Sequence, residues 1–221
     1  MSRLFDHASS QKLLHGAAVL TAAPITMACW FYIDAADINN GLMTIGASSQ
    51  DHWFGIIARR QDTSGVIRAQ TSAGATAEVA DTSTAYNLNT WHHATVVFAA
   101  ANDRRAYLDG GGKGTNASSA TPGSLDRTAI GATERNTVDN YVSGRIAEAA
   151  IWNAALDDSE AVSLAKGFSP LLIRPQSLVA YWPLFGNDAT EIDRWKNRYD
   201  MTVTGATKNV HPRIYYLIGA E

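Results

Sequence analysis

The amino-acid sequence predicts an all-β protein, a β-sandwich of two sheets with one short helix. Three observations support this fold class. Short apolar runs recur along the chain, which is typical of many short strands. Turn signals rich in glycine, asparagine and aspartate separate most of these runs. An apolar stripe at helical spacing with end signals on both sides occurs late in the chain, and it predicts the single helix.

The strands follow from two-residue periodicity within the apolar runs. In the segment Ile25–Ile33 alternate residues form two faces, and both are mostly apolar. We therefore expect a central strand that is covered on both sides. Similar runs predict strands at 42–47, 53–58, 66–71, 76–80, 91–98, 105–109, 128–132, 142–152, 178–184 and 201–204. Turn signals lie at 39–41, 62–65, 87–89, 109–112 and 122–123.

One helix is predicted near residues 157–166. Asp157 is a good N-cap residue, and Glu160 stands three positions later, as in a capping box. Gly167 is the expected stop. The apolar stripe between these ends consists of Ala161, Val162, Leu164 and Ala165.

The domain organisation is predicted to be a single domain over residues 1–221. A chain of 221 residues can bury one large core or two small ones. The segment 168–176 contains two prolines but also apolar residues, so we expect an ordered connector rather than a linker. The strands from about residue 178 are too few for a second domain and should complete the first sandwich.

Composition argues against several classes of function. The chain has 18 Lys and Arg residues and 21 Asp and Glu residues, a net charge of −3, so it lacks the basic field that nucleic acid would need. The longest apolar run, 27–33, is far shorter than the ~18 residues of a membrane span. Cys29 is the single cysteine, which excludes a disulfide within the chain. We expect neither nucleic acid nor membrane as a partner.

The amino terminus, MSRLFDHASSQKLL, carries no signal peptide as written. We therefore expect synthesis in a cytoplasm. The protein would then reach the extracellular space through cell lysis, and the alternative is that a leader has been removed from this sequence.

Four motifs, in order, resemble a known family. They are NTWHHATVVF, RAYLDG, TAIGA and SGRIAEAAIWNAALDDSEAVSLAKG, within residues 24–167. Together they resemble the concanavalin A-like jelly-roll domains of the laminin-G and pentraxin type. PITMACWFYID and LFDHASSQKL are similar to the opening strands of that pattern. The resemblance implies an antiparallel jelly-roll, in a family whose members bind sugars, proteins or lipid head groups.

The carboxyl-terminal segment carries a second resemblance. LVAYWPLFGND looks like the segment that normally precedes the domain in this family. The same tail, continuing through MTVTGA and HPRI, is similar to tails of bacteriophage structural proteins. The apolar run 214–218 suits an interface anchor, and a final core strand is the alternative.

Glycoside hydrolases share this scaffold, and their retaining members need two carboxyl groups about 5 to 5.5 Å apart. Glu191 and Asp193 begin such a motif, but Trp195 and Lys196 stand where the partner carboxylate should follow. Glu148 is too far along the chain from 157–158 to form the pair by spacing. The sequence therefore predicts no enzyme, and a glycoside hydrolase is kept as an alternative.

Three other motifs have structural interpretations. His92 and His93 are adjacent on a predicted strand and point to opposite faces, so they cannot share a ligand, and His93 is expected to be a packed core residue. The glycine-rich run 109–115 joins two strands and predicts a hairpin rather than a phosphate loop. Cys29 lies in mid-strand, where a buried free thiol is ordinary.

The resemblance also implies a metal site, because pentraxin-like members hold calcium between two loops. In the first loop Asp51 matches the family pattern and His52 does not. In the second loop Glu134 and Asn136 offer oxygen, while Arg135 brings a positive charge. Since calcium takes about six to eight oxygen ligands, the expectation is one weak ion at Asp51, Glu134 and Asn136. The alternative is that these are solvated loop residues.

The same two loops carry the predicted ligand-binding surface. Aromatic rings stack on the apolar face of a sugar, and Asn, Asp and Arg side chains bond its hydroxyls. Trp53 begins the apolar run WFGIIA, so a core position is an equal alternative for it. The expected ligand-binding residues are His52, Trp53, Arg59, Arg135, Asn136 and Asn140.

These features lead to one main functional hypothesis and two alternatives. The main hypothesis is a non-catalytic, virion-associated phage protein whose jelly-roll binds a carbohydrate or another virion or surface protein, with self-association as a further option. The first alternative is a free carbohydrate-binding lectin module. The second is the glycoside hydrolase.

Overall fold

The computed structural model describes residues 1–62, 64–186 and 189–210, which form two facing sheets. In chain order the strands are β1 (Ser2–Phe5), β2 (Lys12–His15), β3 (Ile25–Ile33), β4 (Asn40–Gly46), β5 (His52–Ala58), β6 (Ile67–Ala73), β7 (Thr76–Asp81), β8 (Trp91–Ala100), β9 (Asp103–Leu108), β10 (Gly111–Asn116), β11 (Arg127–Ile130), β12 (Gly144–Trp152), β13 (Leu178–Trp182), β14 (Thr190–Glu191), β15 (Met201–Thr204) and β16 (Thr207–Asn209). The helices are α1 (Asp158–Ala165) and 3-10 turns at His7–Ser9, Pro170–Leu172 and Pro175–Ser177.

The two sheets are antiparallel throughout the described residues. The first sheet has the order β10-β9-β8-β3-β12-β1-β16, and β13 also pairs with β12. The second sheet has the order β14-β15-β2-β11-β4-β5-β6-β7. This arrangement confirms the predicted two-sheet antiparallel jelly-roll sandwich with one short α-helix.

The core lies between the sheets and is built by alternation along each strand. On β3 the five odd-numbered residues from Ile25 to Ile33 are fully buried and belong to the main hydrophobic cluster. Phe54 of the second sheet meets Phe98 of the first, with ring centroids 5.0 Å apart. The outer face of central strand β3 is also covered over part of its length, because Ala28 packs in a second hydrophobic cluster with Trp152 and Leu164. The prediction of a doubly covered strand is confirmed over this stretch.

The helix packs on the outer face of the first sheet, at the predicted place. Asp157 accepts a hydrogen bond from the Glu160 N–H, and the Glu160 carboxylate accepts one from the Asp157 N–H, so the capping box is complete. The β9–β10 turn passes close beneath the helix: a Cβ on Gly110 would lie 2.7 Å from the Cα of Val162. Gly110 and Asp109 both have positive φ, as a tight hairpin requires. The predicted hairpin is confirmed.

The residues considered for other chemistry lie as expected. Cys29 is fully buried, and burial raises the pKa of its thiol. His93 is buried against Trp30, whereas the His92 ring faces Asp109 Oδ2 at 2.7 Å. The two rings therefore lie on opposite faces of the strand, His93 against Trp30 and His92 against Phe31, as predicted from the alternation.

The carboxyl-terminal strands join both sheets. Strand β13 pairs with β12, β15 with β2 and β16 with β1. A buried ion pair between Arg3 and Glu191, with a nitrogen-oxygen distance of 2.9 Å, links the two ends of the described chain. The predicted terminal run 214–218 lies outside the described residues.

Some short strands were not predicted from periodicity. Strands β14 and β16 have two and three residues, too few for an alternating pattern. Strand β10 is an edge strand with three glycines, so it lacks apolar side chains that would mark it. The segment that resembled one strand, LFDHASSQKL, is split between β1 and β2 by the turn at His7–Ser9. None of the helices in the described part of the chain is long and apolar enough to span a membrane.

Candidate functional site

A polar pocket of about 160 Å³ lies on the outer face of the second sheet, over β5 and β6. Residues Phe54 and Ile56 of β5 point into the core, so the alternate residues Trp53 and Ile57 point outward. We call this cavity the polar pocket. Its lining consists of Asn39, Asp51, Trp53, Ile57, Arg59, Arg68, Gln70, Ser72, Ala77, Arg135 and Asn140.

The floor of the polar pocket is the Trp53 indole. Trp53 is 4% exposed, and its N–H donates to Asp51 Oδ1 at 2.9 Å. The ring lies beside Gly55, where an added Cβ would come within 3.2 Å of two indole carbons. Of the two alternatives for Trp53, the structure supports the buried one: the indole fills the space above Gly55 and leaves little ring surface for stacking.

One wall of the polar pocket is the loop after β11. Arg135 Nη1 lies 3.2 Å from Asp51 Oδ1, and the rest of its guanidinium is hydrogen-bonded to Asp139. The hydrogen bond with Asp139 raises the pKa of Arg135. Asn140 Nδ2 donates to Thr133 Oγ1 at 3.1 Å. These contacts fix Arg135 and Asn140 in place without a ligand.

The opposite wall consists of two arginines. Arg68 forms a two-point contact with Asp81, with both nitrogen-oxygen distances 2.6 Å. Arg59 pairs with Asp62 and lies 3.9 Å from Asp81. The Nε atom of Arg59 is buried and has no hydrogen-bond partner among the described residues. Between these walls Gln70 and Ser72 project from β6.

A second cavity adjoins the polar pocket. We call it the loop pocket; it measures about 400 Å³, within the ~300–1,000 Å³ range of ligand sites. Asn39 and Asn140 line both cavities, so the two are neighbours. The loop pocket is lined by His7, Asp37, Ile38, Asn39, Gln61, Val138, Asp139, Asn140 and Tyr141.

The structure brings together part of the predicted ligand set. Four of the six residues line the polar pocket: Trp53, Arg59, Arg135 and Asn140. The other two line neither cavity. His52 lies on the opposite face of β5, where its Nδ1 is 3.1 Å from the Gly123 backbone. The backbone N–H of Asn136 donates a hydrogen bond to the Gln50 carbonyl at 3.2 Å.

Two of the predicted metal ligands, Asp51 and Glu134, are paired with cationic side chains. Glu134 is fully buried, and its carboxylate oxygens contact Lys12 Nζ at 2.7 Å and Arg127 Nη1 at 2.8 Å. Asp51 lies instead in the polar pocket, paired with Arg135. An ion bound by both carboxylates would have to displace these cations, so the calcium site stays a prediction. The described residues contain no cluster of three or more His, Cys, Asp or Glu side chains placed to hold a metal.

Sequence reasoning missed the β6 contribution to the polar pocket. Arg68, Gln70 and Ser72 occupy alternate positions of β6 and stand opposite Ile57, Gly55 and Trp53 in the β5–β6 register. The signal was present in IRAQTSA, in which polar and small or apolar residues mostly alternate. Alternation of this kind, even when incomplete, predicts a strand with one outward face.

The carboxylates considered for hydrolysis have structural partners. Glu191 is paired with Arg3, and Glu148 accepts a hydrogen bond from the Tyr181 hydroxyl. Asp193 is fully buried and accepts hydrogen bonds from the backbone N–H groups of Tyr181 and Trp195 at 3.0 Å each. These three carboxylates hold strands and turns together.

An aromatic surface occurs on the opposite side of the sandwich. On the outer face of the first sheet, Tyr32 stands beside Trp91 on β8 and Arg145 on β12. The Arg145 guanidinium lies 4.4 Å from the centre of the Tyr32 ring. Trp30, next along this face, contacts His93. We call these four half-buried residues, Trp30, Tyr32, Trp91 and Arg145, the aromatic face; it is the chief competing surface for a ligand.

Comparison with known proteins places the chain in a family. The sequence model of the concanavalin A-like lectin/glucanases superfamily matches residues 6–161. None of the curated protein sequences matches the chain.

Solved structures of similar fold include several carbohydrate-related proteins. A candidate carbohydrate-binding protein from Bacteroides ovatus has a TM-score of 0.64 at 15% identity, covering 97% of this chain and 61% of its own, so this chain spans about three fifths of that protein. The CBM40 domain of the Ruminococcus gnavus IT-sialidase has a TM-score of 0.61 at 12% identity, covering 75% of this chain and 97% of its own. Domain 4 of a GH43 extracellular arabinanase from Geobacillus stearothermophilus, solved with arabinotriose, has a TM-score of 0.54 at 19% identity and covers 67% and 69%. At these identities the similarity shows the fold alone.

Proposed function

The chain belongs to the concanavalin A-like lectin/glucanases superfamily, and from this premise we propose that it is a non-catalytic carbohydrate-binding module whose sugar site is the polar pocket with the adjoining loop pocket. A fold hosts many functions, so the proposal rests on the site rather than on the scaffold. The observation that carries it is the concentration of amide and guanidinium groups over β5 and β6, on a rigid sheet.

The chemistry of the lining suits sugar hydroxyls. A hydroxyl both donates and accepts, so it pairs well with amides, carboxylates and guanidinium groups held in fixed positions. Gln70 is placed to take this role because it is half-buried on the outward face of β6, in the lining of the polar pocket. Asp51, Arg68 and Arg135 are already oriented by ion pairs, which lowers the entropy cost of ordering them on a ligand.

The similar structures support the same class of ligand. A Ruminococcus gnavus CBM40 structure is bound to α2,3-sialyllactose, and the arabinanase domain is in complex with arabinotriose. Both are oligosaccharides on a related sandwich. We extend this class of ligand to the present chain as part of the proposal.

The test is a glycan array with the whole chain, followed by calorimetric titration of the best ligand. The variant Gln70→Ala should weaken binding about three- to tenfold, the worth of one or two hydrogen bonds, with an unchanged melting temperature. The control is Gln176→Ala, because Gln176 is exposed on a 3-10 turn outside both cavities. Absence of binding to any glycan, or full binding by Gln70→Ala, would overturn the proposal.

The virion role stays a prediction from the resemblance of the carboxyl-terminal segment. A gene that lies beside capsid or tail genes would support it. A gene away from virion genes would favour the free carbohydrate-binding module instead.

A further inference from the structure

The lining of the polar pocket contains more cationic than acidic side chains. The whole chain has a net charge of −3, yet the lining contains Arg59, Arg68 and Arg135 against a single carboxylate, Asp51. The other carboxylates that pair with these arginines do not line this cavity. Inside the polar pocket three guanidinium groups therefore stand beside one carboxylate, while the aspartates that compensate them lie outside the lining.

The arginines have donors left over after their ion pairs. A guanidinium has five N–H donors. Arg68 contacts Asp81 through Nε and Nη2, which leaves Nη1 without a hydrogen-bond partner among the described residues. Arg59 Nε is likewise a buried donor without one. Each unused N–H can donate one charge-assisted hydrogen bond to a carboxylate oxygen of a ligand.

The loop pocket has the opposite character. Its lining contains Asp37 and Asp139 and neither lysine nor arginine. The amides of Asn39, Gln61 and Asn140 supply neutral hydrogen-bonding groups there. Asp139 is paired with Arg135, and the described lining of the loop pocket offers a ligand no unpaired lysine or arginine, so its amides suit a neutral sugar.

Resting on the proposed function, we propose that the ligand is an acidic oligosaccharide, whose carboxylated sugar enters the polar pocket while a neutral neighbouring sugar occupies the loop pocket. The shared asparagines, Asn39 and Asn140, lie where the two sugars would join. A sulfated sugar offers related anionic chemistry, and the experiment separates the two sources of charge.

The experiment compares matched pairs of sugars by calorimetric titration of the whole chain. The pairs are α2,3-sialyllactose with lactose, tetragalacturonate with a neutral galactose tetramer, and sulfated lactose with lactose. A carboxylated member should bind at least about tenfold more tightly than its neutral partner and than the sulfated sugar. That preference should shrink when salt is raised from about 0.05 to about 0.5 M, since salt screens charge.

Variants locate the preference on the arginines. Arg135→Gln should remove most of the preference for the acidic sugar, measured as the ratio of the dissociation constants of the neutral and acidic partners in the same variant. The control is Arg105→Gln. The Arg105 side chain is 27% exposed, as that of Arg135 is, and it also forms an ion pair with an aspartate, but it lies on the first sheet. Because Arg135 also holds its loop, Arg59→Gln is measured alongside it, and a melting curve confirms that each variant is folded.

The outcomes distinguish the two proposals. Equal binding of acidic and neutral sugars overturns the acidic ligand and leaves the proposed function standing. Tighter binding of the sulfated sugar than of the carboxylated one also overturns it. An acidic preference that survives in both Arg135→Gln and Arg59→Gln overturns the assignment to the polar pocket. Absence of binding to every sugar overturns both proposals.

Discussion

Acidification should destabilise the fold through one buried histidine, His93. Its side chain is 2% exposed and packs edge-on against Trp30, with ring centroids 5.3 Å apart. Burial disfavours the charged imidazolium and lowers the pKa of His93 to about 3, only partly offset by the field of Asp109. In the unfolded chain the pKa of a histidine is about 6.5.

The direction and size of this pH effect on the unfolding free energy follow from proton linkage. Between pH 6.5 and about 3 the unfolded chain binds a proton at this residue and the folded chain does not. The folded state is therefore most favoured above pH 6.5, and stability falls as the pH drops below it. Each pH unit is worth about 1.4 kcal/mol. At two units below 6.5, near pH 4.5, His93 should cost about 3 kcal/mol of unfolding free energy.

The assay is urea denaturation at pH 7 and at pH 4.5 on the wild type and on His93→Leu. Carboxylates also respond to acid; for example, the hydrogen bond from Lys113 lowers the pKa of Asp158, so that contribution is lost on acidification in both proteins. The difference between the two losses isolates His93. We expect the variant to lose about 3 kcal/mol less than the wild type. Equal losses in wild type and His93→Leu would refute the reasoning.

Three further predictions concern the ends of the chain and the metal. Glu191→Ala should lower the unfolding free energy by about 3 kcal/mol, because it removes the carboxylate that is paired with the buried Arg3. Neither the wild type nor this variant should release reducing sugar from a β-glucan. Release by the wild type that is lost in the variant would restore the hydrolase alternative. Deleting the chain after Gln176 removes strands from both sheets, so the cooperative thermal transition should vanish. A truncated chain that still melts cooperatively would contradict this account of the fold. The melting temperature should be the same in calcium and in EDTA, because Lys12 and Arg127 neutralise Glu134; a rise of several degrees in calcium would support the metal site.

Much of the fold could be predicted because its signals are local. Alternation fixed the faces of Ile25–Ile33, and the end signals at Asp157 and Glu160 located α1 to within a residue or two. The shortest strands had no such signal. Strand β16 has three residues and exists because β1 offers it an edge, a long-range pairing that no short window of sequence contains.

The site was predicted only in part, for a related reason. Two loops drew attention to Arg135 and Asn140, and both do line the polar pocket. Gln70 and its neighbours on β6 were missed because their membership depends on the register between β5 and β6. His52 was included by closeness in sequence to Trp53, although adjacent residues of a strand face opposite ways.

The most direct test of the central claim is amide chemical-shift mapping by NMR with the tightest-binding oligosaccharide from the array. If the polar pocket and loop pocket are the sugar site, the largest shifts will lie on β5, on β6 and in the loop at residues 133–141. Shifts concentrated instead on the aromatic face, at Trp30, Tyr32 and Trp91, would contradict the account and move the sugar site to the opposite sheet.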